Sequence, residues 1–147
     1  MSFGWINLIN TLAVICLILI NIIAMKKNIA GDFSSKNRII NVLEQLGRYG
    51  CMAMMVIPLT FANWEFGFSS VAEMLIWIFL TIVLLIVYAV LWIRKSKGGS
   101  AIFYGLAIVP VCLFLMNGIL LRHIMLVIFA LIFGVCHLMI VRENIEK

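Results

Sequence analysis

The chain has 147 residues, of which 65% are hydrophobic and 12% charged, with 11 Lys and Arg against 6 Asp and Glu for a formal net charge of +5. So few charges cannot cover the surface of a water-soluble domain, and the composition points to an all-α integral membrane protein, one polytopic domain over residues 1–147. The positive balance does not call for nucleic acid, because the cations fall in short stretches between apolar runs, where retention at one membrane face and anionic headgroups account for them.

The first apolar run, about 5–25, is long enough to cross ~30 Å of hydrocarbon. Its cations, Lys26 and Lys27, follow the run rather than precede it, which is the reverse of a cleavable signal peptide and predicts a retained helix with its N terminus outside. An amphipathic cytoplasmic helix is expected next, at about 34–47. Asp32, Ser34 and Ser35 can cap its start, and Ile39, Ile40, Leu43 and Leu46 recur at helical spacing. It would either lie on the inner membrane face or extend the following span. Glu44 and Arg48, four residues apart, would pair on its solvated side; in the alternative reading Arg48 faces an inner vestibule.

The second span is expected at about 49–66. It contains Cys51-Met52-Ala53-Met54-Met55, where Cys51 and Met55 share a helical face and combine thiol and thioether, the ligand set that Cu(I) prefers; simple core packing is the other reading. Pro58 follows near its middle, then Asn63 close to its outer end. The third span is expected at about 71–93, and the outer loop around residues 63–73 that leads into it carries Glu65 and Glu73 and no cation. The fourth, about 101–121, holds Pro110 near its middle and Asn117 towards its outer end. The fifth is about 124–141. Proline removes a helical hydrogen bond and crowds the preceding turn, so the second and fourth spans should bend. Trp5, Trp64 and Trp92 fall near span ends, as an aromatic belt requires.

Five crossings place ten of the eleven cations on one side: Lys26, Lys27, Lys36, Arg38 and Arg48, then Arg94, Lys95 and Lys97, then Arg142 and Lys147. Only Arg122 falls outside, so the N terminus is expected outside and the C terminus inside, in the plasma membrane of a bacterium. Cys16, Cys51, Cys112 and Cys136 lie in four different spans without a CxxC pair, a pattern that disfavours a structural disulfide.

His123 and His137 stand fourteen residues apart around the fifth span, which returns them to nearly one face roughly 21 Å apart along the axis. Ala130 and Gly134 occupy that face between them. Paired histidines at this spacing resemble the helices of b-type membrane cytochromes, and the resemblance implies haem b. Ligands on both sides of each haem would then require a homodimer joining two fifth spans. Alternatively, Ala130 and Gly134 form a small-residue helix-packing face.

No acidic residue falls deep inside the five runs, and neither a phosphate-binding glycine loop nor a zinc-binding HExxH is present, so an enzyme is disfavoured and no catalytic residue can be named. The pattern favours a small transporter or channel-like subunit with a midplane cavity between bent helices. Its candidate lining is Pro58, Asn63, Pro110, Asn117 and His137, and its ligand apolar or amphipathic, without a cofactor. An accessory subunit of a larger membrane complex or homo-oligomer is the alternative. The expected partners are the bilayer and the anionic headgroups of its inner face.

Overall fold

A computed structural model describes residues 4–26, 34–57, 66–95 and 99–145. These form α1 (Gly4–Lys26), α2 (Arg38–Val56), α3 (Val71–Arg94), α4 (Ser100–Leu120) and α5 (Ile124–Ile145), with no strand among them. Lys27, Asp32, Pro58, Thr60, Asn63, Trp64, Glu65, Lys97 and Lys147 lie outside the described residues.

Four of these helices, α1, α3, α4 and α5, are long and apolar enough to cross a membrane. Large apolar side chains such as Leu12, Leu19, Phe79 and Ile86 stand exposed on the outer faces of α1 and α3, where hydrocarbon rather than water suits them. The second helix is different. It carries Arg38, Glu44 and Arg48, and it runs unbroken from the amphipathic segment expected at 34–47 into the apolar run expected from 49. The two expected elements are therefore one helix. Its first residues are capped by Asn37, whose side chain accepts from Ile39 N at 3.0 Å, rather than by Ser34 or Ser35. Ser35 instead braces the cap through reciprocal bonds with Asn41.

Other helix ends also follow local chemistry. Ser70 caps α3 by accepting from Glu73 N at 3.2 Å, while Glu73 accepts from Ser69 N at 2.7 Å, a relative of the capping box. At the end of α4, His123 N donates to Gly118 O and Arg122 N to Ile119 O, the paired bonds of a Schellman turn. Arg122 occupies its left-handed position, with φ of 55°.

The helices close a ring in the order α1, α2, α5, α4, α3 and back to α1. Contacts fix their directions. Asn144 near the end of α5 reaches Ser34 before α2, and Tyr88 late in α3 donates to Asn21 late in α1, whereas Ile6, Trp77 and Leu121 cluster at the opposite end. Lys26, Arg38, Arg94 and Arg142 thus gather at one end of the bundle, here the basic end, and Arg122 marks the other. The closest seam is α2 against α5. A methyl group on Gly47 would lie 2.7 Å from Phe133 N, and one on Gly50 would lie 2.4 Å from the Phe129 ring, so two glycines one turn apart let the helices meet almost backbone to backbone. Cys51, Met55, Leu113, Phe114, Leu126 and Phe133 fill the centre.

Candidate functional site

The ring does not fill completely. A cavity of about 740 Å³ opens among all five helices towards the basic end, a size usual for small-ligand sites. Along α4 its wall runs from Phe103 to Phe114, a depth of about 16 Å at helical rise. The deeper wall is apolar and includes Leu17, Leu106, Ala107, Pro110 and Phe114. Pro110 has no N–H, so the Leu106 carbonyl on that wall loses its helical donor. The cavity therefore lies towards the basic end of the bundle and reaches past Pro110, at the middle of α4, to Phe114.

Towards the basic end the lining becomes polar: Asn21, Glu44, Arg48, Tyr88, Trp92, Lys95 and His137. Three of these form a cluster between α2 and α5. The Glu44 side chain is only 6% exposed and accepts from the Arg48 guanidinium. The Nδ1 atom of His137 lies 2.9 Å from Glu44 Oε1, in ion-pair reach but without the alignment of a regular hydrogen bond. The imidazole stacks on Phe133 with ring centres 4.8 Å apart, and the Arg48 guanidinium stands 5.8 Å from the same ring. Glu44 precedes the apolar part of α2. Burial opposes its ionisation, and His137 with Arg48 outweighs that and holds its carboxyl below the ordinary value.

Glu44 is thus not on a solvated face, contrary to the expectation for an i,i+4 pair. The reason is tertiary: Gly47 and Gly50 bring α5 so close that the residue one turn earlier faces His137.

On the opposite wall, Lys95 just past α3 is buried, with its ammonium 4.6 Å from the Trp92 ring centre and 5.4 Å from that of Phe103. Burial pushes this ammonium below its ordinary value. Trp92 Nε1 is buried and has no hydrogen-bond partner among the described residues.

The structure separates the residues that sequence reasoning grouped. Pro110 and His137 line the cavity, whereas Asn117 does not: it is fully buried in the α3–α4 seam, accepting from Trp77 Nε1 at 2.6 Å and donating to Leu113 O at 2.8 Å. Pro58 and Asn63 lie outside the described residues. Cys51 and Met55 are packed into the apolar core, and no group of three or more His, Cys, Asp or Glu side chains suited to a metal occurs among the described residues. His123 and His137 do not share an open face. His123 Nδ1 accepts from Leu126 N at 3.0 Å in the α4–α5 corner, while between the histidines Ala130 is fully buried and Gly134 packs on Val111 of α4. Conversely, Tyr88, Trp92 and Lys95 are missed by a search for polar residues within spans. Their i, i+4, i+7 spacing, one face of α3, is the signal that marks them.

The fold and cavity define a helical membrane protein with an amphipathic pocket at one end. Compared with protein-family models, curated proteins and solved structures, the chain matches none.

Proposed function

We propose that this protein is a small, non-enzymatic transporter of the plasma membrane of a bacterium that takes an amphipathic molecule from the cytoplasmic side. The carrying observation is the cavity, which is apolar in its depth and polar towards the basic end. By the rule that cationic segments stay in the cytoplasm, the basic end faces inward. A ligand with an apolar body and a polar head fits such a lining with its head towards the cytoplasm. The clustering of polar groups on a helical scaffold, without a nucleophile placed beside a base among the described residues, supports binding and release over covalent chemistry.

The test uses the full chain in nanodiscs of zwitterionic lipid. Dodecyl amphipaths should bind at one per cavity, and Ala107→Trp, which puts an indole into the apolar wall, should weaken them by about tenfold or more. Vesicles carrying the chain alone should exchange the bound amphipath faster than protein-free vesicles. Exchange that needs a second protein would make the chain an accessory subunit, and binding untouched by Ala107→Trp would remove the cavity from the account.

A further inference from the structure

We infer that the cavity is entered sideways from the inner leaflet, through an opening between α1 and α2, and that what it takes is one acyl chain of a membrane lipid. This rests on the cavity's being the ligand site and on the basic end facing inward, and adds the ligand's class and its route.

Among the described residues that line the cavity, the exposed ones are Ile18, Ile22 and Met25 of α1 and Tyr49 of α2, the last 64% exposed. On the other walls Leu106, Ala107, Pro110, Phe114 and Phe133 are buried, and so, towards the basic end, are Ile140 and Val141. The exposure of the chamber is therefore concentrated on one seam. Ile18, Ile22 and Met25 stand at i, i+4 and i+7 and share one flank of α1, while Leu17 beside them turns into the core. Further from the basic end that flank runs into Ile15 and Leu19, which are exposed on the outside of the bundle, so the chamber wall and the lipid-facing surface of α1 are continuous. Across the seam, half-buried Met52 also lines the chamber, and Tyr49 stands three residues nearer the basic end.

The doorway is apolar apart from the Tyr49 phenol, and tyrosine suits the headgroup level of a membrane. An acyl chain passing through it goes from hydrocarbon to an apolar chamber without meeting water, which avoids a cost of about 0.8 kcal/mol for each CH₂. The dimensions agree. From Ile18 to Met25, next to Lys26 at the end of α1, the doorway is roughly 10 Å long at helical rise. The chamber is about 16 Å deep along α4, and one leaflet, half of a ~30 Å hydrocarbon core, is about 15 Å. A chain in the chamber therefore lies beside its neighbours in the leaflet, with its headgroup at the basic end.

The experiment places the full chain in phosphatidylcholine vesicles in which part of the lipid carries a diazirine midway along one acyl chain, and maps the photolabelled residues by mass spectrometry. Label should appear on Leu106, Ala107 and Phe114, buried residues of the chamber wall, as well as on outer-face residues such as Phe79. Ile18→Trp combined with Ile22→Trp, which sets two indoles in the doorway, should lower label on the chamber wall about tenfold and leave Phe79 unchanged. If that pair does not fold, Met25→Trp alone narrows the same doorway and reads the same way. Label confined to the outer faces, while dodecyl amphipaths still bind and Ala107→Trp still weakens them, overturns the acyl chain and its sideways route and keeps the cavity as ligand site. Label on the chamber wall that the doorway variants do not lower overturns the route between α1 and α2. No label on the chamber wall, together with amphipath binding untouched by Ala107→Trp, overturns both.

Discussion

Glu44 on α2 and His137 on α5 meet with 2.9 Å between Oε1 and Nδ1, and Arg48, one turn further along α2, donates to the same carboxylate. One buried acid thus ties two helices at the polar edge of the cavity. Its carboxyl is held below the ordinary value despite burial, by His137 and Arg48. A group lowered in the folded state stabilises the fold above its unfolded value, near ~4.3 for glutamate, and that contribution disappears as pH falls through the folded value. Glu44→Gln should therefore lower the thermal midpoint in detergent at neutral pH, by about 1–3 kcal/mol of stability, and the deficit should shrink below pH ~4. A deficit that stays constant with pH would show that charge at this position is immaterial.

The α2–α5 seam offers a comparison between two glycines. At Gly47 an added methyl meets backbone atoms, with Phe133 N at 2.7 Å and Cα at 2.8 Å, whereas at Gly50 the nearest atoms it meets are those of the Phe129 ring, at 2.4 Å. A ring can rotate away, but a helix backbone can yield only by moving the whole helix. Gly47→Ala should destabilise by about 2–3 kcal/mol and Gly50→Ala by about 1 kcal/mol or less. Because Gly47 lies one turn beyond Glu44, Gly47→Ala should also loosen the Glu44–His137 contact. Denaturation midpoints of the two variants check the order, and the reverse order would count against close backbone approach at Gly47.

Much of the architecture is legible in the apolar runs themselves. The limits of α1, α3, α4 and α5 fall within a few residues of those expected from hydropathy, since a run of about 20 apolar residues has few alternatives to a spanning helix. The second helix is less legible. Its pattern changes from amphipathic to apolar near Gly47 and Tyr49, which reads as a boundary, yet helical hydrogen bonding continues through it. The cap shows another limit, because Ser34, Ser35 and Asn37 are all competent acceptors and only the backbone path selects Asn37. At the site, His137 and Pro110 stand out as rare residues in apolar runs. Glu44 and Lys95 read instead as loop or surface charges, and Arg48 as either a solvated charge or one facing an inner vestibule, since their surroundings come from helices distant in sequence.

Trp77 and Asn117 form a buried bond across α3 and α4, with Nε1 2.6 Å from Oδ1. Such bonds inside membrane bundles contribute about 0.6 kcal/mol on average and up to ~2 kcal/mol. Asn117→Leu and Trp77→Phe should each reduce stability, and the double variant should lose less than the sum, because either change alone removes the bond. Amphipath affinity should not change, as neither residue lines the cavity. A tenfold loss of binding in Asn117→Leu would place it in the ligand site after all.

His123 sits in the α4–α5 corner, where it is 4% exposed and its Nδ1 accepts from Leu126 N. Burial lowers its imidazole below the ordinary histidine value. A histidine lowered on folding stabilises the fold above its unfolded value of about 6.5, and this is lost as pH falls through the folded value. Protonation at Nδ1 also removes the acceptor of the Leu126 N–H. His123→Asn, which keeps a capping oxygen, should retain most of the stability at pH 7 and flatten its decline from pH ~6.5 downward. An unchanged decline in melts of the variant would assign that limb to another group.

Among the described residues Arg122 is the cation at the end of the bundle opposite the others, and its backbone explains its position better than any ligand does. It stands at φ of 55° in the Schellman turn, donates to Ser69 and lies 3.7 Å from Glu73. The pair with Glu73 is about one-third exposed on both sides and so contributes at most about 1 kcal/mol. The left-handed backbone costs a non-glycine residue roughly 1–2 kcal/mol, more for a β-branched one. Arg122→Gly relieves that strain while losing the pair, so it should leave stability within about 0.5 kcal/mol of the unaltered chain or raise it slightly. Arg122→Val loses the pair and worsens the strain, so it should cost about 2 kcal/mol. Both variants should bind amphipaths normally, because the cavity lies at the other end. If Val were tolerated as well as Gly, the turn's conformation would not be what selects the residue here; if either variant lost binding, the corner would have a share in the site.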